Sequence, residues 1–385
     1  MDNMKLNQLN KTTIYSHNTG GEGNYDDELF NYLLDNKVSE IIKIDFPFGE
    51  KSLQTIRFKH YKKQKEHTKF ESKIKFSTPT LLSYLKDVIM GLYYGFKFGK
   101  NTDIFIGMDN LLVLVGLLLK KIGIVKQVYY VVIDYTPRRY SNNLLNKIYY
   151  RLDRLALHNS DLVLGLNNIM VEQRIKDHNL NRDKVKHKVA PFGNHSSKRQ
   201  EGDYQNDKNN LVYFGGIMKS KGCELFVPIM QSLQDKGFDK IKFHIIGGGD
   251  TDWLQDQVKQ ANLENSIKIY GRIEKTDDID KILLSSGIAI APYYPEDQNN
   301  FSYYADPGKV KVYLGCGLPI VITDVPPIAK DIQLQKAGLI AEYKADSFAD
   351  AIIKIYKNYE KYNKNAIIMG KEFDWNSIFN KIFKF

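Results

Sequence analysis

The sequence predicts an α/β fold built from two doubly wound domains, each a parallel sheet with helices on both faces. Short apolar runs, many of them β-branched, alternate with longer amphipathic segments along the chain, a pattern typical of parallel sheets covered by helices. The length of 385 residues exceeds one ordinary core and fits two domains of roughly 150 to 200 residues. A polar segment at residues 192–210 separates the halves and is predicted to be a linker.

The apolar runs give the predicted strands in order. In the first half they lie at residues 12–16, 41–46, 104–107, 127–133 and 162–165. In the second half they lie at residues 211–214, 242–246, 267–270, 288–291, 319–322 and 339–341. We therefore place a first domain at residues 1–192, a linker at 193–210 and a second domain at 211–371. An apolar-faced helix at residues 372–385 is assigned to the first domain.

Composition and charge limit the class of protein. Apolar residues make up 43% of the chain and charged residues 26%, as in soluble globular proteins. Two distant cysteines and the absence of an apolar leader predict a cytoplasmic protein without disulfides, and the histidines have no paired spacing that would predict a metal site. The net charge is +10.

Much of the positive charge lies in one segment. Residues 51–75 hold nine Lys or Arg against two Glu. A solvated mobile loop, an anionic membrane surface and nucleic acid are the three interpretations left open. Aromatic residues between the charges favour a membrane interface over a plain solvated loop, and the apolar helix predicted at residues 83–98 is expected to contact the same membrane.

Two turns in the second half have the composition of phosphate sites. Asp306, Pro307 and Gly308 precede a predicted helix, and Lys309 adds a cation, so the free amides of the first turn are expected to face an anion. Upstream, Gly215 and Gly216 follow a strand and lead to Lys221 at the next helix. Two such turns in one domain predict a bound nucleotide diphosphate.

Further candidates follow other strands. In the second domain, one strand leaves through three glycines that include Gly248, and another ends before Arg272 and Ile273. In the first domain, a strand end at Asp134 makes this residue the catalytic candidate, since its carboxylate is expected to orient an acceptor hydroxyl. The candidates for acceptor binding are Gly20, Gly21, Gly23, Tyr25 and Arg138.

The order of these turns resembles that of the retaining family 4 glycosyltransferases with the GT-B fold, and the resemblance covers nearly the whole chain. The shared elements, in family order, are a Gly-Gly turn after the first strand, the linker opening Val189-Ala-Pro-Phe-Gly193, the pair Lys221-Gly222, the three-glycine strand exit, and the set Pro307, Lys309, Gly317 and Pro319. The resemblance implies two Rossmann-like domains facing across a cleft, with the last helix returning to the first domain.

The resemblance also implies roles for the candidates. Gly215, Gly216 and Lys221 are expected to contact the donor diphosphate, while Lys309 and the amides after Asp306, beginning at Gly308, hold phosphate and sugar. Arg272 and Ile273 are expected to border the base, and Gly248 is expected to lie at the edge where the nucleotide binds. The two glutamates of the family fall at Tyr304 and Val312 in this sequence, so the sugar contact is expected to pass to Tyr304 or Asp306.

The implied function is that of a metal-independent and cofactor-independent glycosyltransferase. It is expected to move a sugar from a UDP- or GDP-sugar, with retention, to a hydroxyl of a polysaccharide or of a lipid-linked glycan. The expected location is the cytoplasm, with peripheral attachment to the inner face of the plasma membrane, and no nucleic acid partner is expected. The alternatives are a catalytically degenerate GT-B partner subunit and, less well matched by the residues, a nucleotide-sugar 2-epimerase.

Overall fold

Two compact α/β units make up the chain. The computed structural model describes residues 9–18, 24–47, 55–72, 80–199, 206–295 and 303–383. The units are Met1–Pro191 together with Ile378–Phe385, and Phe192–Ser377. The parallel sheets of both units confirm the predicted fold class.

The sheet of the first unit has the order β4-β3-β2-β1-β5-β6-β7-β8 among the described residues. The six strands β2, β1, β5, β6, β7 and β8 pair in parallel, in that order. At the β2 edge, β3 pairs antiparallel with β2, and β4 pairs antiparallel with β3. The strands are β1 Lys11–Asn18, β2 Glu40–Pro47, β3 Arg57–Lys62, β4 Lys65–Glu71, β5 Thr102–Met108, β6 Val125–Val132, β7 Leu162–Gly165 and β8 His187–Val189.

Helices cover this sheet, and side-chain caps begin several of them. Asp109, Asn142 and Asn167 each accept a hydrogen bond from a backbone amide of the first turn of α3, α4 and α5, which satisfies amides that have no partner within the helix. The helices are α1 Tyr25–Asp35, α2 Thr80–Phe98, α3 Asn110–Lys121, α4 Asn143–Asn159 and α5 Asn168–Asp177.

The basic segment is a β-hairpin where it is described, which corrects the expectation of a mobile loop. Phe58 of β3 stacks on Phe70 of β4, with 4.7 Å between ring centroids, and Tyr94 and Phe98 of α2 pack against Phe58. Alternation along β3 therefore buries aromatic rings against α2 while the lysines remain at the surface. These strands were not predicted from the sequence because the charged residues conceal the alternating pattern.

A cluster of polar side chains around a buried lysine joins β1, β2 and α1, with Ser16 of β1 donating hydrogen bonds to Asp26 and Asp45. The side chain of Lys43 has no exposed surface, and its Nζ lies 2.7 Å from Asp26, 2.5 Å from Asp27 and 3.0 Å from Asp45. Burial lowers the pKa of Lys43, but the three carboxylates outweigh this effect and raise it above its ordinary value. The cluster fixes the first turn of α1 to the ends of two strands.

The second unit has the parallel sheet order β11-β10-β9-β12-β13-β14 among the described residues. Its strands are β9 Asp207–Phe214, β10 Lys242–Ile246, β11 Ile267–Gly271, β12 Ser286–Ala291, β13 Ile320–Ile322 and β14 Gly338–Ile340. Its helices are α6 Ser196–Arg199, α7 Phe226–Asp235, α8 Thr251–Gln260, α9 Thr276–Ser285, α10 Gly308–Gly315, α11 Ile328–Leu334, α12 Ala345–Lys357 and α13 Tyr359–Glu372, followed by α14 Trp375–Phe383, which ends in the first unit.

Two apolar clusters lie on opposite faces of this second sheet. Leu211 and Tyr213 of β9 belong to one cluster, and Val212 between them belongs to the other. The strands are buried on both faces, as their continuous apolar runs predicted. Residues 207–210, assigned to the linker from sequence, form the first half of β9, because a parallel partner on each side pairs polar as well as apolar residues.

The end of α14 supplies apolar side chains to the first unit. Phe379 is fully buried and lies against the rings of Tyr25 and Tyr32, at centroid distances of 5.6 and 5.1 Å. Phe383 packs against Tyr32 and Tyr129. The first unit is therefore completed by residues that follow the second unit in sequence.

We expect Phe379→Ala to destabilise the first unit by about 3–5 kcal/mol, the usual cost of removing a buried phenyl group. Lys381→Ala, on the exposed side of the same helix, should change the free energy of unfolding by no more than about 0.5 kcal/mol. Urea unfolding followed by hydrogen exchange of the β1 and β2 amides measures both. Equal stability of the two variants would show that α14 does not belong to the core of this unit.

Candidate functional site

The glycine turns of the second unit bring two backbone segments into contact. Gly215 follows β9 with φ +147°, and Gly247 follows β10 with φ +154°. A Cβ placed on Gly247 would lie 1.8 Å from the carbonyl oxygen of Gly215, and one placed on Gly249 would lie 2.3 Å from that of Ile217. Only glycine fits at Gly247 and Gly249, so the two turns form one surface of bare backbone.

Lys309 lies beside this surface. A Cβ on Gly215 would be 3.6 Å from Lys309 Nζ, which lies 4.3 Å from the ring centroid of Tyr213 and 4.7 Å from that of Tyr293. No ion pair with a carboxylate forms at Lys309 among the residues that the structure describes. Among the described residues, the amine of Lys309 is thus held by two aromatic faces and by no carboxylate.

The charge state of Lys309 reflects this setting. Burial, together with the positive charge of Lys221, lowers the pKa of Lys309 to about 7. Lys221 lies in the turn before Gly222, whose φ of +77° and close approach to the carbonyl oxygen of Pro292 require glycine. Two predicted donor cations are therefore near enough to repel each other, and an anion placed between them would relieve that repulsion.

The helix α10 begins at the turn where the sequence predicts an anion site. Pro307 precedes the helix, and the first amides, from Gly308, have no partner within it. Asp306 is nevertheless buried and used internally: its carboxylate pairs with Lys311 and accepts a 2.7 Å hydrogen bond from the amide of Phe192. We therefore assign Asp306 to anchoring this turn, and not to the sugar contact expected from sequence.

The remaining donor candidates divide into exposed and buried residues. Gly216 and Arg272 are exposed, and the Cβ of Arg272 would lie 3.5 Å from a Cβ placed on Gly248. Ile273 packs against an apolar cluster of this unit, and Tyr304 is buried with its ring edge against Tyr303. The structure thus brings Gly248 and Arg272 together, whereas Tyr304 is a packing residue in this conformation.

A cavity of about 220 Å³ lies in the first unit at the ends of β5 and β6. Asp134, the predicted catalytic residue, lines it and pairs with Arg139 at 3.0 Å. Arg139, and not the predicted Arg138, reaches the cavity. Arg138 instead donates hydrogen bonds to the backbone carbonyls of Tyr140 and Ser141 within its own turn.

The cavity is also lined by a histidine that contacts two carboxylates, which we call the histidine clamp; it was not predicted from the sequence. His17, at the end of β1, contacts Asp109 through Nδ1 and Asp87 through Nε2, the latter at 3.1 Å. Burial lowers the pKa of His17, but the two carboxylates raise it to about 9, so the imidazole is charged at neutral pH. The sequence signal was position alone, because His17 lies at the end of β1 and Asp109 directly follows the adjacent parallel strand β5.

Of the four other predicted acceptor residues, the structure describes one, Tyr25. Gly20, Gly21 and Gly23 lie outside the described residues. Tyr25 is buried against Phe379, so its ring serves the core of the first unit. Within the described part of the chain, His, Cys, Asp and Glu side chains form no group of three suited to hold a metal ion.

Comparisons with known proteins agree with this geometry. Residues 208–358 match the model of a family described as Glycosyl transferases group 1, and the segment contains Gly215, Lys221, Gly248 and Lys309. No curated protein sequence matches the chain.

Solved structures share the fold. Sucrose-phosphate synthase from Thermosynechococcus elongatus superposes with a TM-score of 0.68 at 16% identity, covering 97% of each chain. The Anabaena protein HepE in complex with UDP has a TM-score of 0.62 at 13% identity, covering 97% of this chain and 98% of its own. A structure described as trehalose-6-phosphate from E. coli bound with UDP-2-fluoro glucose has a TM-score of 0.68 at 12% identity, covering 97% of this chain and 99% of its own. The likeness shows the two-domain α/β fold of GT-B glycosyltransferases.

We expect Lys309→Met to stabilise the second unit at neutral pH. The folded pKa of Lys309, about 7, lies below the value of about 10.4 in an unfolded chain. The unfolded state therefore binds more protons between these pH values, and wild-type stability rises with pH over this range. The advantage of the Met variant in urea unfolding should be largest at pH 7 and shrink towards pH 10.

The matched control is Lys330→Met, at an exposed lysine of α11 in the same unit. Its stability difference from the wild type should not change with pH. A pH-independent difference for Lys309→Met would show that Lys309 is an ordinary solvated lysine.

Proposed function

We propose that the chain is a glycosyltransferase that moves a sugar from a UDP- or GDP-sugar, with retention, to a hydroxyl of a polysaccharide or lipid-linked glycan. The observation that carries the proposal is Lys309, whose amine contacts two tyrosine rings and no carboxylate among the described residues, beside the glycine backbone at Gly215. The match of this same segment to Glycosyl transferases group 1 supports a sugar-nucleotide ligand. Binding of UDP and UDP-2-fluoro glucose by proteins of the same fold supports the diphosphate.

The chemistry of transfer needs this arrangement of charge. When the sugar–phosphate bond breaks, negative charge develops on the leaving diphosphate, and the anomeric carbon bonds to the acceptor oxygen, which loses its proton. Lys309, Lys221 and the first amides of α10 are preorganised donors for that charge. In this proposal they stabilise the leaving group without a metal ion.

Two carboxylates of the first unit are suited to receive the acceptor. Asp134 and Asp109 both line the cavity at the strand ends, and both are about one third exposed. Each is paired with a cation, Arg139 for Asp134 and His17 for Asp109. In the proposal they orient the acceptor hydroxyl, and one of the two carboxylates accepts its proton as the oxygen bonds to the anomeric carbon.

The donor assignment predicts slow release of nucleotide from one sugar nucleotide in the absence of acceptor. Lys309→Met should lower this rate by roughly a hundredfold, as removal of one transition-state donor does. Lys330→Met is the matched control and should keep the wild-type rate. A coupled assay for the released nucleotide, with a panel of UDP- and GDP-sugars, measures this rate. Calorimetry with UDP and GDP measures nucleotide binding.

Absence of nucleotide binding by calorimetry, in a protein that unfolds cooperatively, would contradict the proposal. So would equal rates for the two lysine variants. Retention is checked separately, by the anomeric configuration of the product in proton NMR.

The surface of α2 supports peripheral attachment to an anionic membrane, the second part of the proposal. Leu82, Leu85, Ile89, Tyr93 and Phe96 are each half or more exposed. At 3.6 residues per turn they fall within an arc of about 80° on the helix, opposite Gly91 and Gly95, which face Val115 and Leu119 of α3. An exposed apolar stripe of this length is typical of an interfacial surface.

The neighbouring hairpin supplies charge for the same surface. Its strands β3 and β4 pack on α2 through Phe58, Tyr94 and Phe98, and the exposed residues between them include Lys62, Lys63 and Lys65. Anionic lipid attracts such lysines by about 1 kcal/mol each near the surface. No helix within the described residues is long and apolar enough to span a bilayer.

We expect the double variant Leu85→Asp, Ile89→Asp to lose binding to vesicles of phosphatidylglycerol and phosphatidylcholine in a flotation assay. Both side chains are exposed, so the fold should be unaffected. Leu334→Asp, at an exposed leucine of α11 in the other unit, is the control and should float as the wild type does. Unchanged flotation of the double variant would contradict attachment through α2.

A further inference from the structure

The first-unit cavity has two chemically different walls. The ends of the strands supply polar side chains, chiefly His17, Asp109 and Asp134, while α4 supplies Leu145, Ile148 and Leu152. A cavity that took only a sugar would need hydrogen-bonding groups around the ring, because buried hydroxyls need partners. The α4 wall offers none from these three residues and matches an apolar group instead.

The polar wall is held rigidly at Asp109. This residue has φ +144°, a conformation that side-chain-bearing residues rarely adopt. Its Oδ1 accepts a 3.0 Å hydrogen bond from the amide of Leu112, and its Oδ2 contacts His17. Strained backbone that is fixed by its surroundings is concentrated at functional sites, and here it fixes a carboxylate beside the cavity.

Arg174 adds one donor atom, its Nε, that has no partner among the described residues. The guanidinium donates to the hydroxyls of Tyr130 and Tyr149 at 3.0 and 2.8 Å and pairs with Asp153 at 3.2 Å. Its buried Nε has no hydrogen-bond partner among the described residues, although Arg174 lines the cavity. A ligand oxygen is one means of satisfying such a donor.

The apolar wall continues out of the cavity to the protein surface. Ile148 and Ile133 both line the cavity and are 39% and 37% exposed, and Leu144, on the preceding turn of α4, is 66% exposed. The volume of about 220 Å³ exceeds the roughly 150 Å³ that holds benzene in an engineered cavity. One ring with a few carbons fills it, so the rest of a longer ligand must follow this exposed apolar path.

We propose that this cavity is an acceptor site for an amphiphile, with a hydroxyl-bearing head at Asp109 and an apolar aglycone along Ile148 of α4. The proposal rests on the proposed function and deepens it, because it makes the apolar group a condition for acceptor recognition. A polysaccharide without such a group would then bind poorly, and a lipid-linked glycan would bind well.

The test uses n-octyl β-D-glucopyranoside and methyl β-D-glucopyranoside as probes, the octyl compound below its micelle-forming concentration. Binding to the full chain is measured by displacement of the fluorescent apolar probe N-phenyl-1-naphthylamine. The octyl glucoside should displace this probe at a concentration at least tenfold lower than the methyl glucoside. Ile148→Asp should weaken binding of the octyl glucoside roughly tenfold.

Leu155→Asp is the matched control, since Leu155 is an exposed apolar residue of the same helix that does not line the cavity. Its affinity for the octyl glucoside should remain that of the wild type. Equal displacement by the two glucosides would overturn the proposal. Equal losses in Ile148→Asp and Leu155→Asp, or no loss in either, would overturn it as well, because binding would then be adsorption elsewhere.

A UDP titration of the same variants separates this inference from the proposed function. If UDP binding depends on Lys309 but the protein shows no preference for the octyl glucoside, the proposed donor site is retained and only the amphiphile site is overturned. Octyl glucoside binding without binding of any nucleotide would overturn the glycosyltransferase proposal. Thermal unfolding of each variant confirms that Ile148→Asp retains the fold, as expected for a partly exposed position.

Discussion

The contact between the backbones of Gly215 and Gly247 is the constraint on which the second-unit site depends. The two glycines follow adjacent parallel strands, and any side chain on Gly247 would meet the carbonyl oxygen of Gly215. The amide of Gly215 bonds to the carbonyl of Ile246, and the amide of Ile217 bonds to that of Gly248. The turns are thereby locked to each other, and Lys309 can approach bare backbone where a side chain would otherwise lie.

The lysines of the two units show how partners decide the role of a buried charge. Lys43 has three carboxylates within 3.0 Å, and its cluster serves the fold. Lys309 has two aromatic faces and no ion pair among the described residues, so these residues stabilise its charge poorly. An ammonium group kept at this cost in free energy is better explained by a ligand than by packing.

Much of the fold was predictable from sequence, because strands buried on both faces read as apolar runs whatever their neighbours are. Residues 162–165 and 242–246 were placed with the bounds that the structure has. The basic hairpin was missed because its pattern is masked by lysines. Asp306 and Tyr25 were assigned to ligands since a sequence shows residue type and position but not the partners Lys311 and Phe379. The histidine clamp was hidden for the same reason, as Asp87 and Asp109 are distant from His17 in sequence.

The return of Ile378–Phe385 to the first unit has a consequence for biosynthesis. During translation, the N-terminal strands emerge from the ribosome first, but Phe379, which packs against the rings of Tyr25 and Tyr32, is added only after the rest of the second unit has been made. Nascent domains generally fold in order of synthesis, and exposed apolar surface invites aggregation or chaperone binding in the interval. The unit that is translated first is therefore the one whose core closes last.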